Sequence, residues 1–222
     1  MKLIFILFLI LAPCSMLSRY PYGAGSSLRY DLLLAQGKST PERTYQEGLD
    51  NCNRMREEQT KDNPGSFAYI PPDCMIGASA PEFSALTLEG KPFTTLSLKG
   101  KITVLNFWMI SCPPCIAEIP GLNNVVQKYG RENFNFVAIG MDDEKDIRDF
   151  LIRHPWSFDQ VASASTLILD LFQIRFGFPT TFVFDQDGVI IGAFSGGKSD
   201  ESAVQEIEEK LSAIFGLAAK GR

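Results

Sequence analysis

The spacing of apolar and polar residues divides the chain into a short apolar start, a polar arm and a long run of alternating elements. Lys2 precedes an unbroken apolar stretch over residues 3–12, followed by Pro13, Cys14 and small residues. A bilayer-spanning helix needs about twenty apolar residues, roughly twice what stands here. A positive start and a short apolar core therefore read as a secretory signal, outside the fold proper. Cys14 stands where a lipoprotein signal places its lipidated cysteine, although Pro13 holds a position where a small residue is expected. Lipidation of Cys14 and ordinary cleavage a few residues later both stay open.

Residues 15–40 are rich in Gly, Ser and Tyr without sustained periodicity, the pattern of a linker or arm. Thr40-Pro41-Glu42 has the chemistry of a helix start, and the helix is expected to run to about residue 60, before Asn63-Pro64-Gly65. Leu49, Cys52 and Met55 share one stripe of an otherwise polar surface, so this helix reads as an addition lying against the main domain. From residue 76 the periods change. Residues 83–88 and 94–98 alternate as short strands around Glu89-Gly90-Lys91. Residues 102–108 are a continuous apolar, β-branched run, as in a strand buried on both faces, and 134–140 read as another buried strand. Helical spacing recurs over 116–129, ending at Gly130, over 143–153, and more briefly over 165–172. Residues 181–184 and 189–194 form a hairpin through Asp187-Gly188. A closing helix over 200–215 is capped by Ser199 or Asp200. Strand, helix, strand, helix, then a hairpin and a helix implies an α/β domain whose parallel core gains antiparallel strands on one side. The expected division is signal 1–14, arm and helix 15–75, main domain 76–217 and flexible tail 218–222.

The 222 residues, 45% of them hydrophobic, suffice for one core and an appendage. A formal charge of −5 with no basic run argues against a nucleic-acid partner. The exported start changes how the cysteines are read, because disulfides persist outside the reducing cytoplasm.

Ser111-Cys112-Pro113-Pro114-Cys115 follows the central strand and opens the next helix. Two residues three apart on a helix share a face at about 5–6 Å, which is disulfide distance. In the first turn, unpaired backbone N–H groups and the helix dipole favour a thiolate at Cys112. That lowers its pKa from about 8.5 toward 7 or below and makes it the attacking sulfur. Cys115, deeper in the helix, keeps its proton until it resolves the mixed disulfide. A zinc site would need a second paired spacing, and only His154, Cys52 and Cys74 remain, so no metal is expected. Covalent haem would need a histidine after the second cysteine, where Ile116 stands. An inert structural disulfide is the bland alternative, but the strand-to-helix junction is the placement that redox chemistry uses.

Beside the cysteine motif stand Ala80-Pro81-Glu82-Phe83, the run from Leu96 to Lys101, Leu105-Asn106-Phe107-Trp108, the run from Cys112 to Glu118 with Pro120, and Phe178-Pro179-Thr180-Thr181-Phe182. On these motifs, residues 76 to about 217 resemble the TlpA/ResA-like branch of the thioredoxin superfamily, related to the redoxin and peroxiredoxin domains. The resemblance implies a thioredoxin-like fold, with a mixed central sheet flanked by helices and here an N-terminal helical extension. It implies a thiol-disulfide oxidoreductase in which Cys112 and Cys115 are the redox pair and no cofactor takes part. A cis Pro179 beside the pair, with Phe178 and Thr180, would hydrogen-bond an extended substrate segment. Glu118 matches the acid that family members use to handle protons. Asn106 stands where cytoplasmic thioredoxins keep a buried aspartate, which throws more weight onto Glu118.

The chain departs from the family in two places. Ser111, after Met109-Ile110, replaces the frequent aromatic residue before the first cysteine. Thr180-Thr181 lacks the acid of cytochrome-c maturation reductases, which argues against that specialised role. Cys52 and Cys74 are left as candidates for a disulfide stapling the arm to the domain, with buried free thiols or a second redox pair as alternatives. His154 reads as a helix-end residue and Trp108 as core. The expected activity is reduction of protein disulfides outside the cytoplasm, in the periplasm or tethered to a membrane only by the N-terminus. Its expected partners are protein disulfide or dithiol substrates and a membrane-linked redox donor. Two rivals are a peroxidase and a non-catalytic thioredoxin-fold adaptor. A peroxidase would want a threonine three residues before the attacking cysteine, where Met109 stands.

Overall fold

The computed structural model describes residues 43–62 and 69–220. The signal with Cys14, the arm, the helix start at Thr40 and the stop at Asn63-Pro64-Gly65 lie outside those residues. In chain order the elements are α1 (Tyr45–Thr60), β1 (Ser84–Leu86), β2 (Pro92–Thr94), β3 (Ile102–Trp108), α2 (Pro113–Ala117), α3 (Ile119–Tyr129), β4 (Phe134–Gly140), α4 (Glu144–Arg153), β5 (Asp159–Val161), β6 (Thr180–Phe184), β7 (Ile190–Ser195) and α5 (Ser202–Lys220).

Every residue of β3 is buried, and this strand is the centre of a five-stranded mixed sheet ordered β5-β4-β3-β6-β7. It runs parallel to β4, with Val104 opposite Phe136, and antiparallel to β6, with Asn106 opposite Thr181. Successive strand residues face opposite sides of a sheet, so β3 feeds two cores. Leu105 and Phe107 join one, with Met75, Phe172 and α1. Val104 and Trp108 join the other, with Cys112, Cys115 and residues of α3, α4 and α5. Asn106 shares the parity of Val104 and Trp108, so the strand's one amide side chain points toward the helix that carries the cysteines. The α3–α5 seam is close: a methyl group at Gly121 would sit 2.5 Å from Ile207 Cγ2 and 2.6 Å from the Val204 carbonyl oxygen.

The structure corrects several expectations. α1 starts at Tyr45, because Thr44 and Glu47 close a reciprocal capping box: Thr44 N donates to Glu47 Oε2 at 2.7 Å, and Glu47 N donates to Thr44 Oγ1 at 3.3 Å. Nor is α1 merely laid against the domain. Tyr45, Leu49 and Cys52 are buried in the core that holds Phe107 and Phe182, and the Tyr45 hydroxyl donates to the Phe172 carbonyl at 2.7 Å. Packing therefore runs straight across the boundary drawn at residue 75. Residues 95–98 form a 3₁₀ turn instead of a strand, since Thr94 N donates to Ser97 Oγ and turns the chain after β2. β5 was not anticipated; three residues give too short an alternation to register. α5 begins at Ser202, with Asp200 Oδ1 accepting from Ser202 N, and continues to Lys220. It enters the stretch assigned to a tail because Leu217, Ala218 and Ala219 are strong helix formers.

Candidate active site

The pair of cysteines sits where β3 gives way to α2. Ile110 N donates to Asp142 Oδ2 at 2.7 Å, tying the turn to the end of β4. Cys112 is the N-cap of α2, with extended backbone (φ −106°, ψ 99°), and Cys115 N donates to its Sγ at 3.3 Å. Pro113 and Pro114 fill the first two helical positions, where an N–H has no intrahelical acceptor to lose. Cys112 and Cys115 are joined as a disulfide, with Cα atoms 5.3 Å apart. Both cysteines are buried, Cys112 keeping 5% exposure and Cys115 none, so the first lies nearer the surface.

Pro120 cannot donate to Ile116, which interrupts the helix between α2 and α3 and leaves Glu118 as the hinge residue. Glu118 is 4% exposed, and its Oε1 accepts a 2.7 Å hydrogen bond from Asn106 Nδ2. The same Nδ2 donates to Thr181 Oγ1 at 3.0 Å, while Asn106 Oδ1 has no protein partner. Burial pushes the Glu118 carboxyl from 4.5 up to about 8; the Asn106 hydrogen bond and the positive field of Lys210 oppose that shift, and Glu206 adds to it. A carboxylic acid in that range, one turn beyond Cys115, is suited to trading a proton with a thiol at neutral pH.

The Phe178–Pro179 peptide is cis. Gly196 N, just past β7, donates to the Pro179 carbonyl at 2.8 Å. The Thr180 hydroxyl turns inward to the Gly177 carbonyl at 2.6 Å, and Phe178 packs between the two cores. Gly197 brings the pieces together. A methyl group there would lie 3.8 Å from Pro114 Cβ, 3.9 Å from Glu118 Oε2 and 3.9 Å from Pro179 Cγ. The cysteine helix, the acid and the cis-proline loop thus converge on one gap. Sequence reasoning overlooked Gly197 and the part played by Thr181. The Gly196-Gly197 pair after a strand was a signal for the first, whereas nothing local marked the second.

Cys52 and Cys74 form a disulfide, with Cα atoms 5.3 Å apart, tying α1 to the turn at Pro72–Met75. They belong to the core on the opposite face of the sheet from Cys112 and Cys115, which separates the two disulfides physically. His154 stacks on Phe150 at the end of α4, with ring centroids 4.4 Å apart. Among the described residues, no three His, Cys, Asp or Glu side chains cluster so as to hold a metal ion.

Residues 76–193 match the AhpC/TSA family. The thiol-disulfide oxidoreductase ResA of Bacillus cereus (strain ZK / E33L) is 32% identical over 127 residues, covering 57% of this chain and 73% of the relative. ResA of Halalkalibacterium halodurans is 31% identical over 136 residues, 61% of this chain and 76% of the relative. Among solved structures, a secreted Mycobacterium tuberculosis disulfide oxidoreductase homologous to E. coli DsbE shares 27% identity at a TM-score of 0.50, over 60% of this chain and 96% of that one. With the fold and the family match in agreement, the chain belongs to the AhpC/TSA family and is a TlpA/ResA-like thiol-disulfide oxidoreductase of the thioredoxin superfamily.

Proposed function

We propose that Cys112 and Cys115 carry the exchange, that Glu118 moves its proton, and that the protein reduces disulfides of other proteins outside the cytoplasm. The observation that carries this reading is the Cys112–Cys115 disulfide at the mouth of α2, with a buried acid one turn further on. In the reduced protein the Cys112 thiolate attacks one sulfur of a substrate disulfide, forming a mixed disulfide and releasing one substrate thiolate. Cys115 then loses its proton to the Glu118 carboxylate and attacks Cys112. The Cys112–Cys115 disulfide forms, and the second substrate thiolate leaves. The substrate gains two electrons and the protein loses two; a dithiol donor, assigned here to a membrane-linked carrier, returns them. Pro179 borders the gap at the cysteine helix, and it and Phe178 are assigned to hold the extended substrate backbone. Thr180 contributes backbone, since its hydroxyl is already engaged.

The location rests on the secretory character of residues 1–14, on the second disulfide and on the secreted relative. Cys14 is the residue to which a lipid tether is assigned, and among the described residues no helix is long and apolar enough to cross a membrane.

Reduction of insulin disulfides by the dithiothreitol-charged protein tests the reading. The wild type is expected to catalyse it and Cys112→Ser to lose it entirely. Activity persisting in Cys112→Ser sinks the assignment, and peroxide consumption by the wild type would move it to the peroxidase class.

A further inference from the structure

Glu118 is nearly inaccessible, yet a base that serves each turnover must exchange its proton. Its two oxygens have different surroundings. Oε1 is occupied by the Asn106 amide N–H at 2.7 Å, so an acid proton on Glu118 belongs on Oε2. Oε2 faces the gap between Pro114 and Pro179, and the residue lying over that gap is Gly197, exposed and without a side chain. The carboxyl is thereby one glycine away from solvent while keeping only 4% exposure.

We propose that the gap between Pro114, Pro179 and Gly197 is the proton port of Glu118, with Asn106 directing the proton to the oxygen at the port and Gly197 keeping it open. This rests on the assignment of Glu118 as the proton-handling group. Gly197 and Asn106 are positioning residues here; neither touches the reacting sulfurs in this role.

The charged groups around the port come from one side. Glu206 and Lys210 of α5 act on Glu118 through space, Lys210 pairs with Glu206 at 2.6 Å, and Lys198, next to Gly197, stands 3.9 Å from Glu206. From β3 and β6 the neighbours are the neutral Asn106 and Thr181. α2 brings the two cysteines, joined in this state. Small acids and bases in solution therefore meet Glu118 past Gly197, in the field of the charges that α5 sets alongside.

The port makes Gly197→Ala informative. Its backbone lies outside the left-handed region, and the added methyl group would meet its neighbours at 3.8–3.9 Å, ordinary contact distances. The variant should fold as the wild type does and carry a plug in the gap. The experiment follows exchange between dithiothreitol and the full protein by stopped-flow fluorescence. It varies pH and, at fixed pH and ionic strength, the concentration of imidazole buffer. The wild type is expected to show an inflection that Glu118→Gln lacks, and a rate that climbs with imidazole. Gly197→Ala should retain the inflection but lose most of the buffer acceleration, with a slope about tenfold shallower, part of the roughly hundredfold that a positioned acid–base group supplies. A slope equal to the wild type's overturns the port while leaving Glu118 in its role. An inflection that survives Glu118→Gln removes Glu118 from the mechanism and the port with it. If dithiothreitol exchange is unchanged and only the KM for insulin rises, Gly197 belongs to substrate docking and the port is wrong.

Discussion

Asn106, in the middle of the central strand, donates its side-chain N–H to Glu118 at the hinge between two helices, at 2.7 Å. This hydrogen bond joins the sheet to the cysteine-bearing helix through two buried polar groups. It also offsets part of the penalty that burial imposes on the ionised carboxyl.

Removing the bond should leave burial less opposed. Asn106→Ala is expected to raise the Glu118 pKa further above about 8, because the hydrogen bond to Asn106 lowers it. Asn106→Asp places a second carboxyl in the same site, so the two should share a proton and titrate as a coupled pair. Carboxyl ¹³C chemical shifts followed against pH read both outcomes. A Glu118 titration unchanged in Asn106→Ala would show that the bond has no electrostatic consequence.

The raised Glu118 pKa also makes stability depend on pH. The folded state holds the proton to about 8, whereas the unfolded chain releases it near 4.5. The folded state therefore binds more protons between those values, and stability falls as pH rises from about 4.5 to 8, then levels off. Glu118→Gln should remove this slope and become more stable than the wild type toward pH 9, by on the order of a few kcal/mol. Urea midpoints at several pH values decide it. Parallel curves for the two proteins would mean that the carboxyl is not protonated in the native state.

The Cys52–Cys74 disulfide closes a loop with a sequence separation of 22. A loop of that length is worth about 3 kcal/mol of unfolded-state restriction. The double variant Cys52→Ala/Cys74→Ala is expected to unfold at correspondingly lower denaturant. Its Cys112–Cys115 exchange rate should stay that of the wild type, since the sheet stands between the two disulfides.

Gly121→Ala tests the helix seam that supports the site. A methyl group would press within 2.6 Å of the Val204 carbonyl oxygen, where backbone has little room to yield. Overpacking of this kind costs about 1–3 kcal/mol. The expected result is a lowered melting temperature; full wild-type stability would mean that α3 and α5 separate easily.

Much of the fold was legible because its strongest elements obey one rule each. Residues 102–108 and 134–140 coincide with β3 and β4, since strands covered on both faces are apolar at most of their positions. The helix ending at Gly130 did so too, with a positive φ of 67° at that glycine. The weaker elements failed where a side chain took over the backbone's hydrogen bonding. Ser97 turned an expected strand into a 3₁₀ turn, and Thr44 with Glu47 set the start of α1.

For the site, the sequence alone determined the placement of Cys112 and Cys115 three residues apart at a helix start, and the position of Glu118 one turn on. Those are local facts, because helical geometry fixes which neighbours share a face. Only the tertiary structure decided what surrounds them. Asn106, Pro179 and Gly197 reach Glu118 or its gap from the middle of β3, from the turn before β6 and from the loop after β7, and Thr181 of β6 holds Asn106. Sequence separation carries no trace of such meetings. They exist because the sheet orders its strands β5-β4-β3-β6-β7, which sets β6 beside β3 although some seventy residues part them, and burial then makes each polar contact count.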